Sequence, residues 1–333
     1  MTGPLRVVQL NDLAHTGETF VAGLPAEGIE SVLFEPARHG VGARPPRKLL
    51  AAPLRVAALL DAVLRARRWA PDLVHLHYAR MGWMARLVGR PYLIHCHGSD
   101  VRGVSPHSRT GRLMGRWMRD ARRVAYATPD LEPWARAYRP DATFIPNPIP
   151  IPARNEAKPD TDLFVGVRFD AIKGASRVIE TLRCLLELRP STTITVVDQG
   201  RERARALEVL GGKAQVIGYV PHPALSATLG RHRTAMGQMA VGALGAYELE
   251  AMAAGLPVVA SFRYPDAYPA APPVIDAPTP AETAELLAGV LDDEDRRRRL
   301  ADEGREWVAA HHGAEAIVHR VAQLYRDIMA EPR

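Results

Sequence analysis

Apolar residues recur along this chain with two periods. Short apolar or β-branched runs at Leu5–Leu10, Ser31–Phe34, Leu73–His77, Tyr92–His95, Arg123–Ala127 and Thr143–Pro146 read as strands. Between them, Pro53–Trp69 and Gly111–Ala121 read as helices. In the first helix Leu54, Val56, Leu59, Leu60, Val63 and Leu64 recur with helical spacing, and arginines fill other faces. The pattern breaks at Asn147-Pro148-Ile149-Pro150-Ile151-Pro152, where prolines remove backbone donors and resist helix. The polar stretch Ala153–Asp162 follows, and then the alternation restarts. Strands are predicted at Leu163–Val167, Thr193–Val197, Gln215–Ile217, Ala235–Met239 and Val258–Ser261. Helices are predicted at Ala175–Leu188, Arg201–Leu210, Leu225–Arg231 and Tyr247–Ala254, and Thr283–Ile328 is helical and charged.

Strands that alternate with helices predict an α/β protein with parallel sheets covered on both faces. The proline-rich joint divides it into two doubly wound, Rossmann-like domains facing a cleft, the first over residues 1–148 and the second over 149–312. Residues 313–333 are expected to form a terminal helix that packs back toward the first domain. Ligands of such folds bind outside the carboxyl ends of the strands.

Composition supports that division. The 333 residues are too many for one ordinary core and suit two of about 150 residues each. Hydrophobic residues make up 47% and charged residues 24%, an ordinary globular balance rather than a disordered one. No apolar run reaches the ~18 residues a membrane span needs. The N-terminus lacks a charged region followed by an apolar one, so no signal peptide is expected. The two cysteines, Cys96 and Cys184, lie far apart and form no metal spacing. That suits a reducing cytoplasm. The net charge of +6 comes from 43 Lys and Arg against 37 Asp and Glu, too small an excess to name a partner. Arg296–Arg299 sits beside Asp292, Asp293, Glu294 and Asp295, as expected of a solvated helix rather than a nucleic-acid patch.

Four features carry candidate chemistry. His95-Cys96-His97-Gly98-Ser99-Asp100 follows a strand, so a turn there presents His97 and Asp100 at the strand end. Gly98 lets a ligand approach the backbone. His97 is suited to donate a hydrogen bond or to orient a reacting hydroxyl. The pairs His75/His77 and His95/His97 raise a zinc reading, but no carboxylate or cysteine set completes a recognisable ligand pattern, and no metal is expected. Arg168 and Lys173-Gly174 lie between a strand and the start of a helix. A planar guanidinium, a point charge and helix-end amides together suit a pyrophosphate. The run Gly245 to Val259 reads as a glycine turn, a short helix and a strand, and Glu250 on that helix is suited to accept both hydroxyls of a ribose. Ile145-Pro146-Asn147-Pro148 sits at the joint.

Together these motifs resemble the large retaining GT-B glycosyltransferase family called family 4, the group 1 glycosyl transferases. The order matches: strand-end His-Gly-x-Asp, Ile-Pro-Asn at the hinge, Arg168 with Lys173-Gly174, then Gly245 with Leu-Glu-Ala-Met-Ala-x-Gly-Leu-Pro-Val-Val. Asp72 to His77 also matches the family's first-domain strand, and the resemblance covers about residues 5–330. It implies a cytoplasmic, metal-independent transferase with no cofactor beyond its nucleoside diphosphate sugar, GDP- or UDP-linked. It implies catalytic roles for His97, Arg168 and Lys173. Arg168, Lys173, Gly242, Gly245, Ala246 and Glu250 would hold the donor, Glu250 through its ribose. The N-terminal domain would hold the acceptor, and front-face attack would retain configuration.

Two departures shape the expected substrates. The family's second glutamate, eight residues before the ribose-binding one, is Gly242 here, and the usual Pro-Ser is Gln238-Met239. Losing a carboxylate that contacts the transferred sugar points to an unusual sugar, or to inactivity. Many relatives carry Gly-Gly after the first strand, whereas this chain has Asn11, Asp12, His15, Thr16 and Gly17. Those residues, with Asp100, are expected to read a small polar acceptor, for example a thiol in a lincosamide-type antibiotic pathway. One alternative is a membrane-surface enzyme acting on a lipid-linked or polysaccharide acceptor. Its support is the basic stretch Arg109–Arg123, although packing of that helix on the sheet is favoured over membrane association. Another is a non-catalytic nucleotide-sugar-binding protein.

Overall fold

The computed structural model describes residues 3–37, 50–154 and 159–332. Of the polar stretch read at Ala153–Asp162, residues 155–158 lie outside them. The chain divides into two compact units. The first is Met1–Pro148 together with Ala314–Arg333, and the second is Ile149–Gly313.

The first unit contains strands β1 (Leu5–Leu10), β2 (Ile29–Phe34), β3 (Leu73–His77), β4 (Tyr92–Cys96), β5 (Arg123–Tyr126) and β6 (Thr143–Phe144). They form one parallel sheet in the order β2-β1-β3-β4-β5-β6. Helices α1 (Thr16–Gly23), α2 (Ala52–Trp69), α3 (Gly82–Val88), α4 (Arg109–Asp120) and α5 (Glu132–Arg136) connect the strands. Strand order reverses between β1 and β3, so their carboxyl ends open the crevice where such sheets bind ligands.

Both faces of this sheet are covered. Val8, Leu10, Val74, Leu76, Ile94 and Cys96 pack under α2, α3 and α4. Val7, Leu73 and Leu93 pack against Phe20 of α1 and against Ile317, Val318, Val321 and Tyr325. The last four lie on α12 (Ala314–Ala330), whose buried residues recur with helical spacing. This accounts for the uninterrupted burial of β3 and β4.

The second unit contains β7 (Thr161–Val165), β8 (Ile194–Val197), β9 (Ala214–Ile217), β10 (His232–Met236) and β11 (Val258–Val259), parallel in the order β11-β10-β7-β8-β9. Its helices are α6 (Ala175–Leu188), α7 (Arg203–Leu210), α8 (His222–Leu229), α9 (Ala246–Ala253), α10 (Pro280–Asp292) and α11 (Glu294–His312). Here the order reverses between β7 and β10.

Several sequence expectations need correction. The helical stretch Thr283–Ile328 is three helices, because Asp293 caps α11 through Arg296 N and Gly313 closes it. The strand expected over Ala235–Met239 is His232–Met236; Gly237 still donates to Val259 O, its position faces the Glu248 side chain, and the loop begins beyond it. The helix expected over Leu225–Arg231 starts earlier, at His222, after a proline that fixes the entry. In α2 the buried residues are Ala62, Val63 and Ala66, while Leu54, Val56, Leu60 and Leu64 are exposed. The basic helix α4 buries Met114 and Met118 in the core, so its apolar face packs inward.

Candidate active site

The second unit builds a site at its switch point. After β7, the chain passes Arg168 and turns through Lys173 to Gly174, where α6 begins without a side-chain cap. Gly174 has φ +79°, and a Cβ there would lie 2.8 Å from the Met239 carbonyl carbon. Only glycine allows that approach. The approach is sealed by a hydrogen bond from Met239 N to Lys173 O at 2.9 Å. The turn after β7 is thereby fastened to the loop after β10. Arg168 is exposed and lies 3.5 Å from Asp170. Asp170 itself accepts from Arg201 N. The cation at 168 is therefore accessible, and the neighbouring carboxylate is partly committed to the backbone.

The loop after β10 is organised by two buried side chains to which the sequence analysis assigned no role. The Gln238 carboxamide is fully buried. Its Oε1 accepts from the amides of Ala240, Val241 and Gly242 at 3.0, 2.7 and 3.2 Å, and its Nε2 donates to Ser261 O at 2.7 Å. Glu248 is 2% exposed; one carboxylate oxygen accepts from Gln238 N at 2.8 Å and the other from Gly245 N at 2.9 Å. The loop's two ends are thus held by one carboxylate. The available signal for Glu248 was a second acid two residues before Glu250, on a helix otherwise apolar.

Gly242 sits in this loop with φ +75°, and a Cβ there would meet Arg263 Cγ at 2.8 Å. Where the resemblance leads one to expect a glutamate, this chain has a left-handed glycine covered by Arg263, which pairs with Asp276 at 2.7 Å. Gly245 and Ala246 open α9. Glu250, four residues on, meets His222 Nε2 at 3.0 Å. A shallow pocket of about 150 Å³ adjoins this pair, lined also by Pro150, Pro152, Leu225 and Leu229.

In the first unit the expected residues gather at the ends of β1, β3 and β4. Asp100 is fully buried. It accepts from the amides of His97, Gly98 and Ala79 at 3.1, 2.8 and 2.8 Å, so it shapes the turn that carries His97. Burial raises its pKa, and those amides act against the rise. Asp12 likewise accepts from Gly17 N at 2.8 Å and Glu18 N at 3.4 Å, and so closes the first turn of α1. Residues 11–15 form the turn after β1, and α1 begins at Thr16. Asn11 donates to His77 O at 2.6 Å, bridging the switch point, and Thr16 donates to Asn147 at 3.1 Å. His15 is half exposed beside Glu18. Of the residues expected to read an acceptor, Asn11, Asp12, Thr16 and Asp100 therefore make these hydrogen bonds inside the protein. The opening at this end is instead a cavity of about 310 Å³ lined by Asn11, Leu13, Pro36, Ala37, Arg55, Leu59, Tyr78, Met81 and Ser99. Asn11, Ala14, His15 and Tyr78 around it hold positive φ, the kind of strain that collects at functional sites.

Four histidines line one face of β3 and β4. His75, His77 and His95 are fully buried, and burial lowers the pKa of all four, His95 to about 4. Ring nitrogens of His75, His77 and His95 lie within 4.8 Å of one another, a span that fits a metal ion. The rings of His75 and His95, however, stack with planes only 13° apart. Imidazole lone pairs lie in the ring plane, so two nearly parallel rings do not converge on one ion. The stacking geometry therefore does not suit a single ion shared by His75 and His95, whose Nε2 and Nδ1 respectively are buried without a hydrogen-bond partner among the described residues.

Comparison with known proteins matches both units. Residues 8–148 match the Glycosyl transferase 4-like domain, and residues 151–307 match Glycosyl transferases group 1. The chain is 28% identical over 257 residues to a 2-deoxystreptamine N-acetyl-D-glucosaminyltransferase of Streptomyces fradiae, covering 61% of this chain and 58% of the relative's length. It is 27% identical over 323 residues to a 2-deoxystreptamine glucosyltransferase of Streptomyces kanamyceticus, covering 83% of each. The fold is shared with a sucrose-phosphate synthase of Thermosynechococcus elongatus at a TM-score of 0.71 and 18% identity, over 98% of this chain and 99% of that one. Two parallel α/β units of this topology, each matched by its own family model, make the chain a member of the group 1 glycosyl transferases with the GT-B fold.

Proposed function

We propose that this protein transfers a glycosyl group from a nucleoside diphosphate sugar, GDP- or UDP-linked, to a small polar acceptor with retention of configuration. The observation that carries this reading is the Lys173 O to Met239 N bond. It fastens a guanidinium, an ammonium and the uncapped start of α6 to the loop that leads into α9, at one switch point. Two cations beside a helix start suit a diphosphate, and Glu250 suits the ribose hydroxyls. In the reaction the bond between the anomeric carbon and the β-phosphate oxygen breaks. The acceptor heteroatom bonds that carbon from the same face, and its proton passes to the departing phosphate oxygen. Arg168 and Lys173 stabilise the charge that develops on the leaving group, which removes the need for a divalent metal.

Gly242 under the aliphatic stem of Arg263 supports a transferred sugar other than a common hexose, because the position offers no carboxylate to sugar hydroxyls and the Arg263 guanidinium is turned to Asp276. Two relatives named for 2-deoxystreptamine support a small polar acceptor. The inward packing of α4 points the same way. The thiol acceptor of a lincosamide-type pathway belongs in the same test.

Nucleotides tested by thermal shift should give stabilisation by one nucleoside diphosphate, by about 2.7 kcal/mol at a hundredfold excess over Kd. Its monophosphate should do far less. Arg168→Ala and Lys173→Ala should each weaken that binding roughly 10- to 100-fold, the value of a charge-assisted hydrogen bond. Mass spectrometry with the matching sugar donors, against 2-deoxystreptamine and small thiols, then reads transfer. Equal stabilisation of wild type and Arg168→Ala would sink the reading.

A further inference from the structure

The histidine face of the first unit is not a random set of buried polar groups. Gln9 on β1 lies opposite His75 on β3, and His77 lies opposite His95 on β4. A chain of hydrogen bonds crosses these strands. Ser31 Oγ on β2 lies 2.9 Å from Val7 O and 3.4 Å from Gln9 Nε2. Gln9 Nε2 also lies 3.1 Å from Tyr325 Oη on α12, which lies 2.6 Å from His75 Nδ1. Gln9 Oε1 meets His77 Nε2 at 3.0 Å, and His77 Nδ1 meets His97 Nε2 at 3.1 Å.

Such a chain has two self-consistent proton arrangements, related by turning the Gln9 carboxamide over and shifting every proton one step. Ser31 chooses between them. A hydroxyl oxygen 2.9 Å from a carbonyl oxygen must place its own proton between them, because the carbonyl only accepts. Ser31 Oγ then has only lone pairs to offer Gln9, so the NH2 of Gln9 faces it and Oε1 faces His77. An amide oxygen requires N–H at His77 Nε2, which leaves His77 Nδ1 as a lone pair and requires N–H at His97 Nε2. Asn147 also hydrogen-bonds the His97 ring; that bond raises the ring's pKa, so Asn147 offers its oxygen, the atom to which Thr16 also donates, and it acts together with Ser31 on the tautomer. The low pKa of the buried imidazoles keeps the chain uncharged, so tautomer rather than charge is its variable.

We infer that Ser31, Gln9 and His77 are positioning residues that hold His97 as the neutral Nε2–H tautomer, so that its remaining nitrogen, Nδ1, accepts a hydrogen bond from a substrate hydroxyl and does not donate one. This rests on the reading of His97 as a residue that meets substrate, but the tautomer itself does not. The role first assigned to His97, donor or orienter of a hydroxyl, narrows to orienter.

The test uses the full chain labelled with 15N-histidine at pH 7.5. Long-range proton–nitrogen correlation spectra report which ring nitrogen carries the proton, and His97→Gln assigns the His97 signals. Wild type should show His77 and His97 protonated on Nε2. Ser31→Ala should mix both tautomers at both rings, and Ser31→Thr, which keeps the hydroxyl, should restore the single pattern. Melting temperatures of the two variants control for unfolding. With whichever sugar donor turns over, Ser31→Ala should lower kcat roughly three- to tenfold with donor KM unchanged, and Ser31→Thr should recover it. A proton on His97 Nδ1 in wild type, or an unchanged spectrum in Ser31→Ala, overturns the inference whether or not the protein is a transferase. A correct spectrum with no turnover on any donor would instead count against the transferase reading.

Discussion

Gly242 and Gly212 make a controlled pair. Their φ angles are +75° and +77°, so a side chain at either meets the same left-handed backbone penalty. They differ in surroundings. A Cβ at 242 lies 2.8 Å from Arg263 Cγ, near the root of that side chain, whereas a Cβ at 212 meets nothing within 4 Å. Gly212→Ala should therefore cost about 1 kcal/mol, and Gly242→Ala about 2–3 kcal/mol. Chemical denaturation of the two variants measures the difference, and equal losses would mean that Arg263 moves aside freely. The comparison bears on function, since restoring the family's glutamate at 242 meets the same obstruction. Gln238, Glu248 and Arg263 hold and cover the loop around Gly242, so the position is filled by neighbouring side chains rather than left open.

Helix α2 shows how far periodicity carries and where it stops. The spacing of its apolar residues predicts a helix, and one forms over Ala52–Trp69. Spacing alone ranks Val63 and Leu64 equally, yet Val63 is 3% exposed and Leu64 49%. Val63→Ala should cost about 2 kcal/mol and Leu64→Ala under about 0.5 kcal/mol, which denaturant midpoints will separate. Strands β3 and β4 make a second case. Their alternation places His75, His77 and His95 on one buried face, and their pKa values fall below the ordinary 6.5, to about 4 at His95. A histidine whose folded pKa is lowered gives stability that is complete above 6.5. That stability is lost as pH falls through the interval toward the folded value, because the unfolded chain binds the protons first. Asp12 and Asp100, raised by burial, act in the opposite sense at lower pH. The melting temperature should fall by on the order of 5 °C or more between pH 7.5 and pH 5. His95→Asn should flatten that dependence, and a flat profile in wild type would show the histidines open to water.

The chain's end belongs to its beginning. Ala314–Arg333 groups with Met1–Pro148, and α12 covers Val7, Leu73 and Leu93 while Tyr325 completes the Gln9 and His75 hydrogen bonds. A chain ending at Gly313 should lose the first unit's resistance to proteolysis, because it exposes an apolar sheet face and orphans buried polar groups. The second unit keeps both of its core clusters without α12 and should stay intact. Limited proteolysis with mass analysis of the fragments tests this. Digestion of both units, or of neither, would contradict it.

Element type was legible in the amino acids because strand and helix periods are local properties of the chain. The helix Ala175–Leu188 appears with the ends its pattern implies, and the topology repeats the alternation read from residue 5 onward. The placement of Arg168, Lys173, Gly245 and Glu250 was legible for the same reason, since Arg168 lies three residues past the end of β7, Lys173 just before α6, and Gly245 and Glu250 at the start of α9 and on it. Burial and partnership were not. Whether Leu64 faces core or water depends on what packs over α2. Whether Asp12 and Asp100 serve a ligand or their own backbone depends on which amides the turn brings to them. Ser31 and Tyr325 carry no local signature, because their roles come from residues that only the folded chain brings within hydrogen-bond distance. Gln9 and Tyr325 are 316 positions apart in the chain and 3.1 Å apart in the fold. A pattern with a period of two or 3.6 cannot encode such a contact; close packing of the sheet against α12 creates it.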